Sequence, residues 1–170
     1  MRHYDFYDSP QGQMLLVAND EGLCGAYFRG QKYYPSVESP LRRDAGHAIL
    51  RQAKRELAEY FAGRRKRFEL ALAPEGTPFQ RAVWRAISGV GFGQTISYGE
   101  LAQRAGCAGS ARAAGAATGR NPIGVIVPCH RIVGSNGSLT GYAGGLALKR
   151  ALLALESASA APGDALVQND

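Results

Sequence analysis

The sequence predicts an α+β protein: a small N-terminal antiparallel sheet with one helix, then a mostly helical C-terminal part containing a helix-turn-helix. Three observations carry this. Two turn signals within the first thirty residues separate short runs of aromatic and aliphatic residues. Helix start signals cluster after residue 76. The charge is also unevenly spread. Residues 1–76 carry 12 basic and 10 acidic side chains, whereas residues 77–150 carry 8 basic groups and a single acid, Glu100.

Taken in order, Ser9-Pro10-Gln11-Gly12 and Asn19-Asp20-Glu21-Gly22 divide the opening residues into an antiparallel meander. A polar loop holding Pro35 and Pro40 follows. A helix fits 44–62, with Ile49, Leu50, Leu57, Tyr60 and Phe61 on one face and Gly63 as its stop. The run Arg64-Arg65-Lys66-Arg67 reads as an exposed charged loop leading into a short strand over 68–72. Ala73-Pro74-Glu75-Gly76 is the linker, so the domains are expected at 1–72 and 77–156, with 157–170 a frayed tail.

In the second part, Thr77-Pro78-Phe79-Gln80 is a capping box: Thr at N-cap, Pro at the first helical position, Gln at N3. Phe79, Val83, Trp84 and Ile87 then fall at core-facing spacing. Ser97-Tyr98-Gly99-Glu100 is a second box, opening a helix to about Ala105. After the turn Gly106-Cys107-Ala108-Gly109, another helix covers 111–119, and the pair resembles a helix-turn-helix. In that last helix five of nine residues are Ala and two are Gly. Small residues permit close helix packing, or equally entry of the backbone into a narrow groove. Ile123 to Val127 reads as a short buried strand delivering Pro128-Cys129-His130-Arg131. Two Gly-rich loops follow, and a final helix from Leu146 to about Glu156 turns Leu148, Leu152 and Leu155 inward.

Composition excludes several classes. A hydrophobic fraction of 45% with 20% charged residues is that of a globular chain, not a disordered one. No apolar run reaches bilayer-spanning length, and Met1-Arg2-His3-Tyr4-Asp5 lacks the core of a secretion signal, so a cytoplasmic location is expected and no membrane. The cysteines, Cys24, Cys107 and Cys129, are three and far apart. With His3, His47 and His130 they complete no metal pattern, which points to free thiols, no disulfide framework and no metal. The cationic stretch 77–150 is either a solvated face or a phosphate-binding surface.

Cys129 is the chemical focus. Free Cys is usually inert packing, but here His130 and Arg131 follow directly in a region nearly free of acids, the setting that depresses a thiol pKa. Adjacent Cys and His side chains diverge at a strand end, so a bridging water or a rearranged turn is required for them to communicate.

The runs Arg112-Ala-Ala-Gly through Asn121-Pro122, then Pro128-Cys129-His130-Arg131, then Gly141-Tyr142-Ala143-Gly144-Gly145-Leu146 resemble the O6-alkylguanine-DNA alkyltransferase family, the methylated-DNA–protein-cysteine methyltransferases. The resemblance runs from about Thr77 to Glu156, and in its length the chain looks like the short bacterial form. It implies repair of double-stranded DNA containing alkylated bases by single-use transfer of the alkyl group to Cys129, with no cofactor, no obligate protein partner and a monomer when free. It further implies that His130 takes the thiol proton through a water and Glu156 orients His130. Asn121 holds the active-site turn. Tyr98 donates to guanine N3, the backbone N–H of Ala143 faces O6, and Tyr142 and Gly144 complete the base site. Arg112 fills the space of a flipped base, and Ala113, Ala116, Ala117 and Gly119 line a minor-groove helix, with Arg120 and Arg131 as further DNA contacts. Two rivals read the site otherwise: a lesion-binding module, which would lack the acceptor cysteine, and a cysteine hydrolase using Cys129, His130 and Glu156.

Overall fold

The computed structural model describes residues 1–37 and 40–159. The expected tail beyond residue 159 lies outside the described residues. The architecture is mixed α+β, in two compact units. The first comprises Met1–Glu75 with Pro122–Ile126, the second Gly76–Asn121 with the chain from Val127 onward.

In the first unit, β1 (Arg2–Ser9), β2 (Gly12–Ala18) and β3 (Leu23–Phe28) form the meander. Its first turn closes because Gly12 adopts φ 121° and the Ser9 hydroxyl donates to the Gly12 carbonyl at 2.6 Å. At the second, the Asn19 side-chain oxygen accepts from the N–H groups of Glu21 and Gly22. The sheet is not purely antiparallel. A fourth strand, β4 (Leu41–Arg43), leaves the loop read as irregular and pairs parallel to β1, giving the order β3-β2-β1-β4. Buried Asp5 on β1 accounts for this docking, since Arg43 of β4 reaches it at 3.0 Å and Lys54 of the helix also bonds it.

Helix α1 (Ala48–Phe61) starts four residues later than the periodicity suggests. Asp44 spends its side chain on the N–H of Gly46 in a turn, and His47 caps the helix by accepting from the N–H of Ile49. The strand expected over 68–72 is also absent. The buried Glu56 carboxylate of α1 accepts the N–H groups of Glu69 and Leu70, so these donors go to a side chain rather than a ladder. Only Leu72 makes a bridge, to Leu23.

In the second unit, α2 (Pro78–Ser88) carries the complete capping box of Thr77 and Gln80. Val83, Trp84 and Ile87 are buried, but Phe79, expected to face the core, is 40% exposed in the first turn. Trp84 donates its indole N–H to the carbonyl of Ala117 at 2.8 Å, anchoring α4 (Ala111–Gly119). Between them, α3 (Tyr98–Arg104) is capped by Ser97, and Gly106 and Gly109 turn the chain into α4 at φ 81° and 86°. In the Ser97 box only the cap half forms: Ser97 accepts from Glu100 N–H, while the Glu100 carboxylate bonds Arg104.

The strand expected over 123–127 is a turn. Val125 sits at φ 70°, and the N–H of Ile126 bonds the carbonyl of Gly124 two residues back. Ile123, Val125 and Ile126 are buried as expected, but in the first unit, where Ile123 bridges Ala26. Beyond it, β5 (Ile96–Ser97) and β6 (Ile132–Val133) pair parallel, and α5 (Leu146–Ser159) runs past Glu156. The inward line of α5 is Lys149, Leu152 and Glu156, with Leu148 and Leu155 only half-buried.

Candidate active site

Cys129 opens a single 3-10 turn, Cys129–Arg131, rather than ending a strand. The turn is braced from both sides. Asn121 donates its side-chain N–H to the Val127 carbonyl at 2.9 Å, and the Cys129 N–H bonds the same carbonyl at 2.8 Å. The thiol is buried, 8% exposed, but not sealed. Burial pushes its pKa up; side-chain hydrogen bonds to Asn121 and Tyr142 and the charge of Lys149 oppose this without reversing it. The expectation that His130 and Arg131 depress this thiol is therefore overturned, because both are engaged elsewhere. Burial thus favours the neutral thiol at Cys129.

The next residue, His130, has a defined arrangement. His130 is fully buried, its Nε2 2.6 Å from Glu156 Oε2. An ionised carboxylate only accepts, so Nε2 carries the proton and Nδ1 holds a lone pair. Among the described residues Nδ1 has no hydrogen-bond partner. Burial lowers the His130 pKa and keeps the ring neutral. Burial alone would raise the Glu156 pKa, but bonds from His130 and Arg131 bring it down to about 2.

Arg131 supplies the countercharge. Its guanidinium grips both oxygens of Glu156, at 2.8 and 3.0 Å, and donates to the Val90 carbonyl at 2.6 Å. It is 6% exposed and stacks near Phe92. The expected DNA contact by Arg131 is thus corrected: this side chain is a buried strut that holds Glu156, its donors consumed inside the protein.

Tyr98 is half-buried at the start of α3. Burial raises its pKa, as does the nearby Cys129, so it stays a protonated donor beside the thiol. Tyr142, Ala143 and Gly144 lie half-buried on the loop before α5. At Gly144 a Cβ would stand 2.5 Å from the Leu148 side chain and 3.1 Å from the Tyr142 ring, so a larger residue here requires Leu148 to shift. On α4, Arg112, Ala113 and Ala116 are exposed, as is Arg120 just after it, and Gly119 is half-buried, whereas Ala117 is buried and its carbonyl accepts the Trp84 indole N–H. Gly115 of the same helix lies against the Tyr98 ring.

Lys149 is the site residue that sequence reasoning missed. It is fully buried and donates to the carbonyls of Ile132, Thr140 and Gly141. Its signal was the 149, 152, 156 spacing, three then four residues, which puts a lysine on the same inward line as Glu156. Among the described residues no three His, Cys, Asp or Glu side chains are grouped to hold a metal, and no helix is long and apolar enough to cross a membrane.

A buried cysteine followed by a buried histidine fixed by a carboxylate, on a helical unit that carries an exposed helix stripped of bulk, points to chemistry at the cysteine. Comparison with known proteins makes this specific. The family described as "6-O-methylguanine DNA methyltransferase, DNA binding domain" matches residues 78–158, and its "ribonuclease-like domain" matches residues 2–74. A methylated-DNA–protein-cysteine methyltransferase of Methanosarcina acetivorans is 46% identical over 154 residues, covering 91% of this chain and 97% of the relative. One from Mycobacterium tuberculosis is 44% identical over 164 residues, covering 96% and 97%. Among solved structures, the O6-methylguanine methyltransferase of M. tuberculosis superposes with a TM-score of 0.86 at 42% identity, covering all of both chains. The same organism's protein in complex with DNA gives 0.85 at 40% identity, covering 99% of each. The chain belongs to the methylated-DNA–protein-cysteine methyltransferase family.

Proposed function

We propose that this protein repairs double-stranded DNA by moving a methyl or other alkyl group from O6 of guanine to Cys129. The observation that carries the reading is the bare, buried Nδ1 of His130, whose other nitrogen is fixed by Glu156. A neutral imidazole held in one tautomer takes a proton at the free nitrogen. With no direct bond from Cys129 to that nitrogen, one water bridges them and carries the thiol proton to His130. The sulfur lone pair then attacks the alkyl carbon, and the O6–carbon bond breaks with its electron pair going to the guanine. Tyr98 donates to N3 and the Ala143 N–H to O6, opposing the charge that develops on the leaving base. Tyr142 and Gly144 shape the loop around it.

The product is a thioether, and no hydrolytic step returns the thiol, so each molecule acts once and uses no cofactor. The methyl group of O6-methylguanine lies inside the duplex, and the base must leave the stack at a cost of about a few kcal/mol. Helices α3 and α4 serve as the helix-turn-helix, with Ala113, Ala116 and Gly119 on the groove side, Arg112 in the space vacated by the base, and Arg120 toward phosphate. The protein acts as a monomer in the cytoplasm, on the nucleoid. O4-alkylthymine presents the same kind of alkyl ether and is a second substrate to test.

Incubation with a duplex containing one O6-methylguanine is expected to add a single methyl group, mapped to Cys129 by mass spectrometry of the intact protein and its peptides. Cys129→Ser should bind the duplex and transfer nothing. An unmodified protein beside unrepaired DNA would sink the proposal.

A further inference from the structure

Lys149 is the buried charge for which the proposed transfer has no assignment. A methionine could fill similar space on the inward face of α5 without desolvating an ammonium. Its partners show what the charge is used on. The Nζ donates to Ile132 O at 2.6 Å, in the strand that follows the Cys129 turn. It also donates to Thr140 O at 2.8 Å and Gly141 O at 3.4 Å, in the loop that leads to Tyr142, Ala143 and Gly144. The same atom stands 6.0 Å from the centre of the Tyr98 ring, within cation–π range.

The loop in question needs such a tie. Five of the twelve residues from Gly134 to Gly145 are glycine, so a large backbone entropy opposes any single arrangement. Its remaining backbone bonds are local turns, Gly134 with Ser138, Gly137 with Gly134 and Gly145 with Tyr142. Three donors on one buried cation fix its middle to β6.

We propose that Lys149 is a positioning residue for alkyl transfer, strapping the Thr140–Gly141 stretch to β6 and beneath the Tyr98 ring so that the base-holding loop stands at a fixed height over Cys129. The inference rests on the alkyl-transfer reading above. It is distinct from the favourable charge of Lys149 on the thiolate, which changes the thiol itself rather than the geometry of the base.

The test compares wild-type protein with Lys149→Met, both checked for folding by circular dichroism and melting. Single-turnover transfer from the O6-methylguanine duplex should fall by about tenfold or more, the scale on which misplacing a reacting group acts. Iodoacetamide alkylation of Cys129, measured at a pH high enough to ionise the thiol in both proteins, should keep its wild-type rate, while loss of the Lys149 charge moves the pH profile of that rate upward. Amide hydrogen exchange over 139–145 should accelerate. Transfer at the wild-type rate overturns the proposal. So does transfer that returns to the wild-type rate once the thiol is fully ionised, which identifies a thiolate countercharge alone. Should the Met variant not fold, Lys149→Gln, whose amide donates two of the three bonds, is read the same way, with an intermediate loss expected. If the wild-type protein transfers nothing, the alkyl-transfer reading fails, while unchanged hydrogen exchange in the variant separately rejects the strap.

Discussion

Within the site, residue by residue, His130 and its carboxylate partner are held by one ion pair. Arg131 and Glu156 are both buried and doubly bonded, and removing one partner leaves a charge without compensation. Arg131→Met should therefore cost about 3–5 kcal/mol of stability, measured by denaturant unfolding, rather than act through DNA affinity. The same residues set the acid response. His130, whose pKa burial lowers from 6.5, refuses a proton that the unfolded chain accepts, so stability starts to fall below about pH 6.5. Glu156, brought from 4.5 to about 2, contributes stability that is present above its unfolded value and lost as pH falls through its folded one. The two effects run in the same direction. Unfolding midpoints taken at pH 7, 5 and 3 should decrease steadily, and Glu156→Gln should flatten the lower part of that series.

Among the elements, α4 separates binding from packing on adjacent residues. Ala116 is exposed and Ala117 is buried against Trp84. Ala116→Leu should leave the melting temperature near wild type and weaken duplex binding, since bulk is added to the proposed groove face. Ala117→Leu should overpack the α2–α4 contact, costing about 1–3 kcal/mol. Titration of a fluorescent duplex, paired with thermal melts, checks both; equal behaviour of the two variants contradicts the assignment of faces. Helix α5 has the same division in a more compact form. Its inward line carries a lysine and a glutamate on either side of Leu152, and each is satisfied by partners from other elements.

Over the whole molecule, the chain does not divide at the linker alone. Pro122–Ile126 belongs to the first unit, where the Ala26 N–H bonds the Pro122 carbonyl at 2.8 Å and the Gly124 N–H returns to Ala26 O at 2.9 Å. A chain truncated to begin at Gly76 loses those strands and bares Ile123 and Val125, both buried in the intact protein. Such a fragment is expected to bind a hydrophobic dye and to lose a cooperative melt, measured beside the full chain. Retention of a sharp transition would show that the segment just before the Cys129 turn needs no support from β3.

Local signals in the sequence determined much of this protein. Turn residues placed the meander, and the Thr77 box opened α2 at the residue it marked, because a cap is made by side chains three positions apart. The motif around Cys129, with Glu156, picked out Cys129, His130 and Glu156 as the candidate site, and the fold brings His130 against Glu156. What required the tertiary structure were groups whose partners are far along the chain. Arg131 looks like a surface cation until Glu156, 25 residues later, consumes it. The strand over 68–72 looks sound until Glu56 takes its N–H groups. Lys149 looks like a helix surface residue until three carbonyls close over it. In each case the deciding energy is the desolvation of a charge or a backbone donor, which depends on what the fold brings alongside and is written in no local pattern.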